Sequence, residues 1–162
     1  MTLPRTPSQT VGPFYAIGLC RRTDNELVAP DDDAAVHVSG MLLDGAGEPI
    51  PDGLIELWSA PARAWGRCGT HPEGRFEFVL AKPPAAPGEA PRYDIYVFAR
   101  GLLRHQLTRL YFPDEPAANA ADPVLASLAP DERATLVARA DGDGLRFDIR
   151  MQGESQTVFI AT

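Results

Sequence analysis

His71-Pro72-Glu73-Gly74-Arg75-Phe76-Glu77-Phe78-Val79-Leu80 is the stretch that decides the fold. Its first four residues carry turn chemistry, and its last six alternate, with Phe76, Phe78 and Leu80 on one side and Arg75 and Glu77 on the other. That period of two belongs to a half-buried strand, because successive side chains of an extended backbone point to opposite faces. Upstream, Val36, Val38 and Leu42 alternate in the same way. The cluster Asp44-Gly45-Ala46-Gly47-Glu48-Pro49 then turns the chain into Leu54-Ile55-Glu56-Leu57-Trp58, where Glu56 interrupts an apolar strand at its centre. The segments 54–58 and 75–80 are predicted to form a hairpin.

Downstream, the loop Pro83-Pro84-Ala85-Ala86-Pro87-Gly88 has little to bury and is expected on the surface. It feeds a strand over residues 93–98, and a second long strand is expected over 107–112. Both are rich in apolar and aromatic residues and are expected near the centre of a sheet. Residues 114–128 are Ala-rich, with Pro116 and Pro123 spaced to start a turn or two of helix. Asp141-Gly142-Asp143-Gly144 lies between Thr135-Leu136-Val137-Ala138-Arg139 and a run with Leu145, Phe147, Ile149 and Met151 on one face, a hairpin signal. Val158-Phe159-Ile160 forms an apolar tail. The pattern predicts an all-β, two-sheet antiparallel β-sandwich of seven or so strands. It is read as one domain over residues 1–162, with 1–33 as an extended arm and lead-in.

The 162 residues carry 15 Lys and Arg against 22 Asp and Glu, a formal charge of −7. Such a balance repels a phosphate backbone or an anionic membrane surface, so neither nucleic acid nor membrane is an expected partner. Cys20 and Cys68 lack any CxxC spacing and read as reduced thiols of a cytoplasmic protein. No run is long and apolar enough to cross a bilayer.

The chemistry readable from single residues is sparse. The three histidines, His37, His71 and His105, are not spaced to share a metal, and nucleophile-elbow, phosphate-loop and zinc-helix motifs are absent from the sequence. Arg100, in Phe98-Ala99-Arg100-Gly101, ends an apolar strand where the chain must turn, and its planar fork suits a carboxylate. Arg109 alternates with apolar neighbours and is expected to pair with a buried carboxylate such as Glu56. At the N-terminus, Thr6-Pro7-Ser8-Gln9-Thr10-Val11-Gly12-Pro13-Phe14-Tyr15 can make neither helix nor core strand, because Pro7 and Pro13 hold it extended. Composition leaves two readings of this arm, a frayed end or a segment built to lie against something.

The arm, the strand Leu54-Ile55-Glu56-Leu57-Trp58, the pair Phe98-Ala99-Arg100-Gly101 and Thr108-Arg109-Leu110-Tyr111-Phe112, and the ending Arg146-Phe147-Asp148-Ile149-Arg150-Met151-Gln152-Gly153-Glu154 occur in that order. Together they resemble the intradiol ring-cleavage dioxygenases. The resemblance implies a prealbumin-like β-sandwich. It also implies a two-chain enzyme whose beta chain holds a non-haem ferric ion, Fe(III), through two tyrosines and a His-x-His strand. Here the matching window reads Pro91-Arg92-Tyr93-Asp94-Ile95. Arg92 and Asp94 stand where the histidines would be, and neither 58–68 nor 83–88 contains a tyrosine. This chain is therefore similar to the alpha, non-metal-binding partner, with no catalytic residue and no metal of its own, and with the beta chain as partner.

In that family the alpha arm walls the substrate pocket. What the resemblance carries over is Thr10, Val11, Gly12 and Pro13 from the arm and Arg100 from the strand end. Gly12 would allow close backbone approach to the aromatic ring, Pro13 would supply rigidity, and Arg100 would attract a substrate carboxylate. The implied reaction inserts both atoms of dioxygen into a carboxylated catechol. The chain is shorter than the family between Trp58 and Gly66 and between Pro83 and Arg92, which leaves the preferred catechol substituent open. A transthyretin-like or carboxypeptidase-associated sandwich that only binds or supports would explain the strands equally well, but not the arm, the Phe98-Ala99-Arg100-Gly101 strand end and the Arg146-to-Glu154 ending together.

Overall fold

The computed structural model describes residues 4–12, 14–70 and 72–160; Pro13 and His71 lie outside the described residues. A short helix α1 (Tyr15–Leu19) precedes strands β1 (Ala35–Leu43), β2 (Leu54–Ser59), β3 (Ala64–Gly69), β4 (Arg75–Ala81), β5 (Arg92–Phe98) and β6 (Gln106–Tyr111). Helices α2 (Pro116–Ala121), α3 (Pro123–Ser127) and α4 (Pro130–Ala134) follow, then the short strands β7 (Arg139–Asp141), β8 (Gly144–Arg146) and β9 (Ile149–Arg150).

One sheet runs β4-β1-β8-β7, with β9 continuing along β1; the other runs β3-β2-β5-β6. The alternation read from sequence sets their facing surfaces. Phe76, Phe78 and Leu80 of β4 and Val38 and Leu42 of β1 meet Ile55 and Leu57 of β2 and Tyr93, Ile95 and Val97 of β5 in one buried cluster. Each such side chain contributes about 1.5–3 kcal/mol on leaving water. β1 is held on both edges, antiparallel to β4 and parallel to β8 and β9, so the sandwich is antiparallel except along this strand. Gly40 permits the crowding there, because a Cβ would sit 1.9 Å from the Phe147 carbonyl oxygen and 2.3 Å from the Phe76 ring.

Three sequence expectations change. The segment 54–58 does not pair with 75–80: β2 turns back at once into β3, and β4 pairs with β1 in the other sheet. Glycines at 66 and 69 mask β3 in the sequence, yet Trp58 faces Trp65 and Glu56 faces Arg67 across the hairpin. β6 is an edge strand, not a central one. Its free edge is covered by bridges from Leu107 to Ile160 and Tyr111 to Val137, and this cover explains its apolar content. Arg109 pairs with Asp94 and not with Glu56, because β5 separates β6 from β2. The Asp141-Gly142-Asp143-Gly144 turn does join a hairpin, β7 to β8. The helical turns expected after Asp114 are α2 and α3.

α2–α4 seal one end of the sandwich through a second cluster that includes Tyr111, Leu125 and Leu136. Asp122 organises it. Buried to 1 % exposure, its carboxylate accepts hydrogen bonds from Val124 N and Leu125 N at the start of α3, from Ala90 N, and from the Tyr111 hydroxyl at 3.1 Å. Burial alone would raise its pKa, but the donors from Ala90, Leu125, Tyr111 and Val124 outweigh it and hold the carboxyl below its ordinary value. A depressed folded pKa gives stability that is present above the unfolded value and lost as pH falls through the folded one. Asp122→Ala is therefore expected to cost on the order of 3 kcal/mol at pH 7, since it orphans several buried donors. The cost should shrink as pH falls below the ordinary aspartate range and wild type loses the same charge; urea unfolding at pH 7 and in that acid range measures both.

Candidate functional site

β5 delivers Phe98 and the buried Ala99 to the end of the sheet, and the chain reverses at Arg100 and Gly101. Gly101 has φ +86°, a conformation open chiefly to glycine, and Leu102 N closes the turn on Ala99 O at 3.3 Å. The arm is tied to this turn. Gly101 N donates to Thr10 Oγ1 at 2.9 Å, and the Tyr15 hydroxyl donates to the Phe98 carbonyl at 2.6 Å. The arm therefore lies against the sandwich, which resolves the choice left open by its composition. Val11 and Gln9 roof a cavity of about 360 Å³ floored by Phe98, Ala99, Leu102 and His105. His105 packs on Tyr96 and Phe98 with ring centroids 5.2 and 5.6 Å apart.

The structure thus brings Thr10, Val11 and Arg100 to one end of β5. Gly12 is exposed, and among the described residues, its chain neighbours aside, a Cβ there would meet no atom within 4 Å. Arg100 extends into solvent at 60 % side-chain exposure, with its Nε against the carboxylate of Asp52. Burial, and after it the charge of Asp52, raise the Tyr15 pKa above the ordinary range, so this phenol stays a neutral donor. Sequence reading missed both Asp52 and the anchoring role of Tyr15; a tyrosine following a Gly-Pro arm was the one available signal. Phe14, which precedes α1, and Ile17 and Leu19 within it stand outward at 75, 77 and 45 % exposure.

The outer face of the β3-β2-β5-β6 sheet is the other polar region. Arg92 binds Glu89 at 2.6 Å and approaches Asp94 at 3.4 Å; Arg109 donates to Asp94 at 3.1 Å and to the Tyr111 hydroxyl at 3.3 Å. Tyr111 is pushed up to about 12, mainly by burial, and its hydroxyl donates a hydrogen bond to Asp122. This is the position at which the family resemblance would put a metal. Its residues do not fit a ferric ion, because guanidinium groups have no lone pair to give and already occupy both carboxylates. Among the described residues, no group of three or more His, Cys, Asp or Glu stands together to hold a metal ion. No helix among them is long and apolar enough to cross a membrane.

The chain superposes on the dioxygenase domain of a dioxygenase and carbohydrate-binding protein fusion from Streptomyces sp. SirexAA-E with a TM-score of 0.64 and 25 % identity, over 93 % of this chain and 99 % of that one. An intradiol ring-cleavage dioxygenase from Tetranychus urticae gives 0.60 at 14 % identity, over 78 % of this chain and 83 % of that one. No family model matches. The fold is that of the intradiol ring-cleavage dioxygenases. The chain is 38 % identical to a protocatechuate 3,4-dioxygenase alpha chain from Burkholderia cepacia over 98 % of each, aligned across 192 positions against its own 162 residues. It is 29 % identical to the beta chain from the same organism over 75 % of this chain and 66 % of that one. It belongs to the family of protocatechuate 3,4-dioxygenase alpha chains.

Thr10→Val removes the acceptor for Gly101 N with little change of shape. A hydrogen bond worth about 1 kcal/mol predicts roughly fivefold faster hydrogen exchange at the Gly101 amide. An unchanged rate would mean that this bond does not hold the arm.

Proposed function

We propose that this chain is the non-metal-binding alpha subunit of a protocatechuate 3,4-dioxygenase, working with a beta chain that holds Fe(III). The assembled enzyme would open protocatechuate between its two hydroxyl carbons, inserting both atoms of dioxygen to give 3-carboxy-cis,cis-muconate; this chain alone would be inactive. The observation that carries the reading is the Thr10 to Gly101 hydrogen bond, which sets the arm beside Arg100. A solvent-exposed guanidinium, paired at Nε with Asp52, and an exposed glycine arm then share one corner of the molecule.

In this reading Thr10, Val11, Gly12 and Pro13 wall the substrate pocket of the partner chain. The open space at Gly12 is filled by the substrate ring or by the beta chain, where any Cβ would intrude. Arg100 supplies charge-assisted hydrogen bonds to the substrate carboxylate and a local positive charge in a chain of net charge −7. The outward Phe14, Ile17 and Leu19 suit burial against a partner, since large exposed apolar groups in sequence mark interaction surfaces. The two free thiols, Cys20 and Cys68, fit a cytoplasmic protein. A supporting sandwich with no enzymatic role leaves the pinned arm unexplained.

Arg100→Ala in the assembled enzyme is expected to raise KM for protocatechuate about tenfold or more, the loss of a hydrogen bond to a charged group. Unsubstituted catechol should be nearly unaffected, and equal effects on the two substrates would remove Arg100 from carboxylate recognition. Isolation of the chain from its native source should bring with it a second chain bearing a His-x-His strand, identified by mass spectrometry. Recovery of this chain free of any such companion, together with iron bound by it alone, would overturn the proposed division of labour.

A further inference from the structure

We propose that Asp52 is a positioning residue for Arg100: it grips the Nε edge of the guanidinium and presents the Nη groups outward as a preset fork for a ligand carboxylate. The inference rests on the reading of Arg100 as the carboxylate-recognition residue.

The placement follows from strand register. Leu54 of β2 pairs with Phe98 of β5, and two residues further out on each strand bring Asp52 opposite Arg100, on the outer face. The loop that carries Asp52 is fixed from both sides by the fully buried Thr70. Its hydroxyl accepts from Gly53 N at 2.8 Å and donates to Ile50 O at 2.6 Å, and Thr70 N donates to Gly53 O at 3.0 Å. Asp52 is thereby sunk to 15 % side-chain exposure, whereas Arg100 stands out at 60 %. Asp52 Oδ2 is shut off from solvent and receives no well-formed hydrogen bond among the described residues. The Arg100 guanidinium is the cation set against that oxygen.

A half-exposed ion pair of this kind adds little to folding. Its effect is on conformation. An unpaired arginine at a turn samples many rotamers, and a ligand that binds it must first immobilise it. Arg100 meets Asp52 at Nε, and in the proposed arrangement the edge between the two Nη groups is left to give two parallel bonds to a second carboxylate.

The test uses the enzyme assembled with its beta chain. Asp52→Ala should raise KM for protocatechuate about fivefold, with kcat within about twofold of wild type and catechol unaffected. Asp52→Asn keeps an oxygen to accept from Nε and should recover part of the loss, and Asp52→Ala added to Arg100→Ala should cost nothing more. In the chain alone, 15N NMR should show the Arg100 Nε–H slowed in solvent exchange, and Asp52→Ala should release it. A KM for protocatechuate that is unchanged or lowered by Asp52→Ala, while Arg100→Ala raises it, overturns the positioning role and leaves the role of Arg100 standing. An equal rise for catechol, or an Nε–H exchange rate indifferent to Asp52, overturns it as well. If Arg100→Ala is silent towards protocatechuate, the carboxylate-recognition reading falls first and this inference with it.

Discussion

The register between β2, β5 and β6 is the constraint on which the rest of the molecule depends. Because Leu57 pairs with Ile95 and Ile95 with Thr108, one parity of residues faces the core and the other faces out. The inward row is apolar and drives collapse. The outward row collects Leu54 with Phe98, Glu56 with Tyr96, and Trp58 with Asp94 and Arg109. A slip of one residue would bury the charges and expose the core, so the hydrophobic pattern fixes the polar face as firmly as it fixes the interior. The same register carries Arg100 to the end of the sheet and puts Asp52 beside it.

That outer face is organised as a connected series of charges, from Glu89 through Arg92, Asp94 and Arg109 to Tyr111 and Asp122. The series joins the sheet surface to the buried cap of α3. Among the described residues, Arg92 and Arg109 each have a carboxylate neighbour. Arg67, which holds Glu56 and stacks on the Trp65 ring at 4.9 Å, extends the pattern onto β3 and also donates to the Leu19 carbonyl at the end of α1.

Much of this was legible in the sequence. Alternation in 75–80 and the apolar run over 54–58 showed the strands and the sandwich, and the Pro-rich arm and Phe98-Ala99-Arg100-Gly101 are segments that the fold brings together. Pairing was less legible, because alternation says which face a residue takes and not which strand lies alongside. β3 escaped notice for a related reason: its glycines weaken the strand signal, and its support comes from cross-strand partners Trp58 and Glu56 that only the fold brings near. Asp52 was invisible on the same grounds. In Pro51-Asp52-Gly53 an aspartate is fully accounted for by turn chemistry, and its relation to Arg100, 48 positions on, exists only through the register of two strands.

The outward side of α1 bears on how such a chain is made. Phe14 leads into a five-residue helix that carries Ile17 and Leu19, so three large apolar side chains stand exposed on one short segment. Helices this short have little stability of their own. A copy synthesised in excess of whatever covers these side chains would present a sticky, easily opened end to chaperones and proteases. Matched production of the two surfaces would then matter to the cell as much as the fold of either.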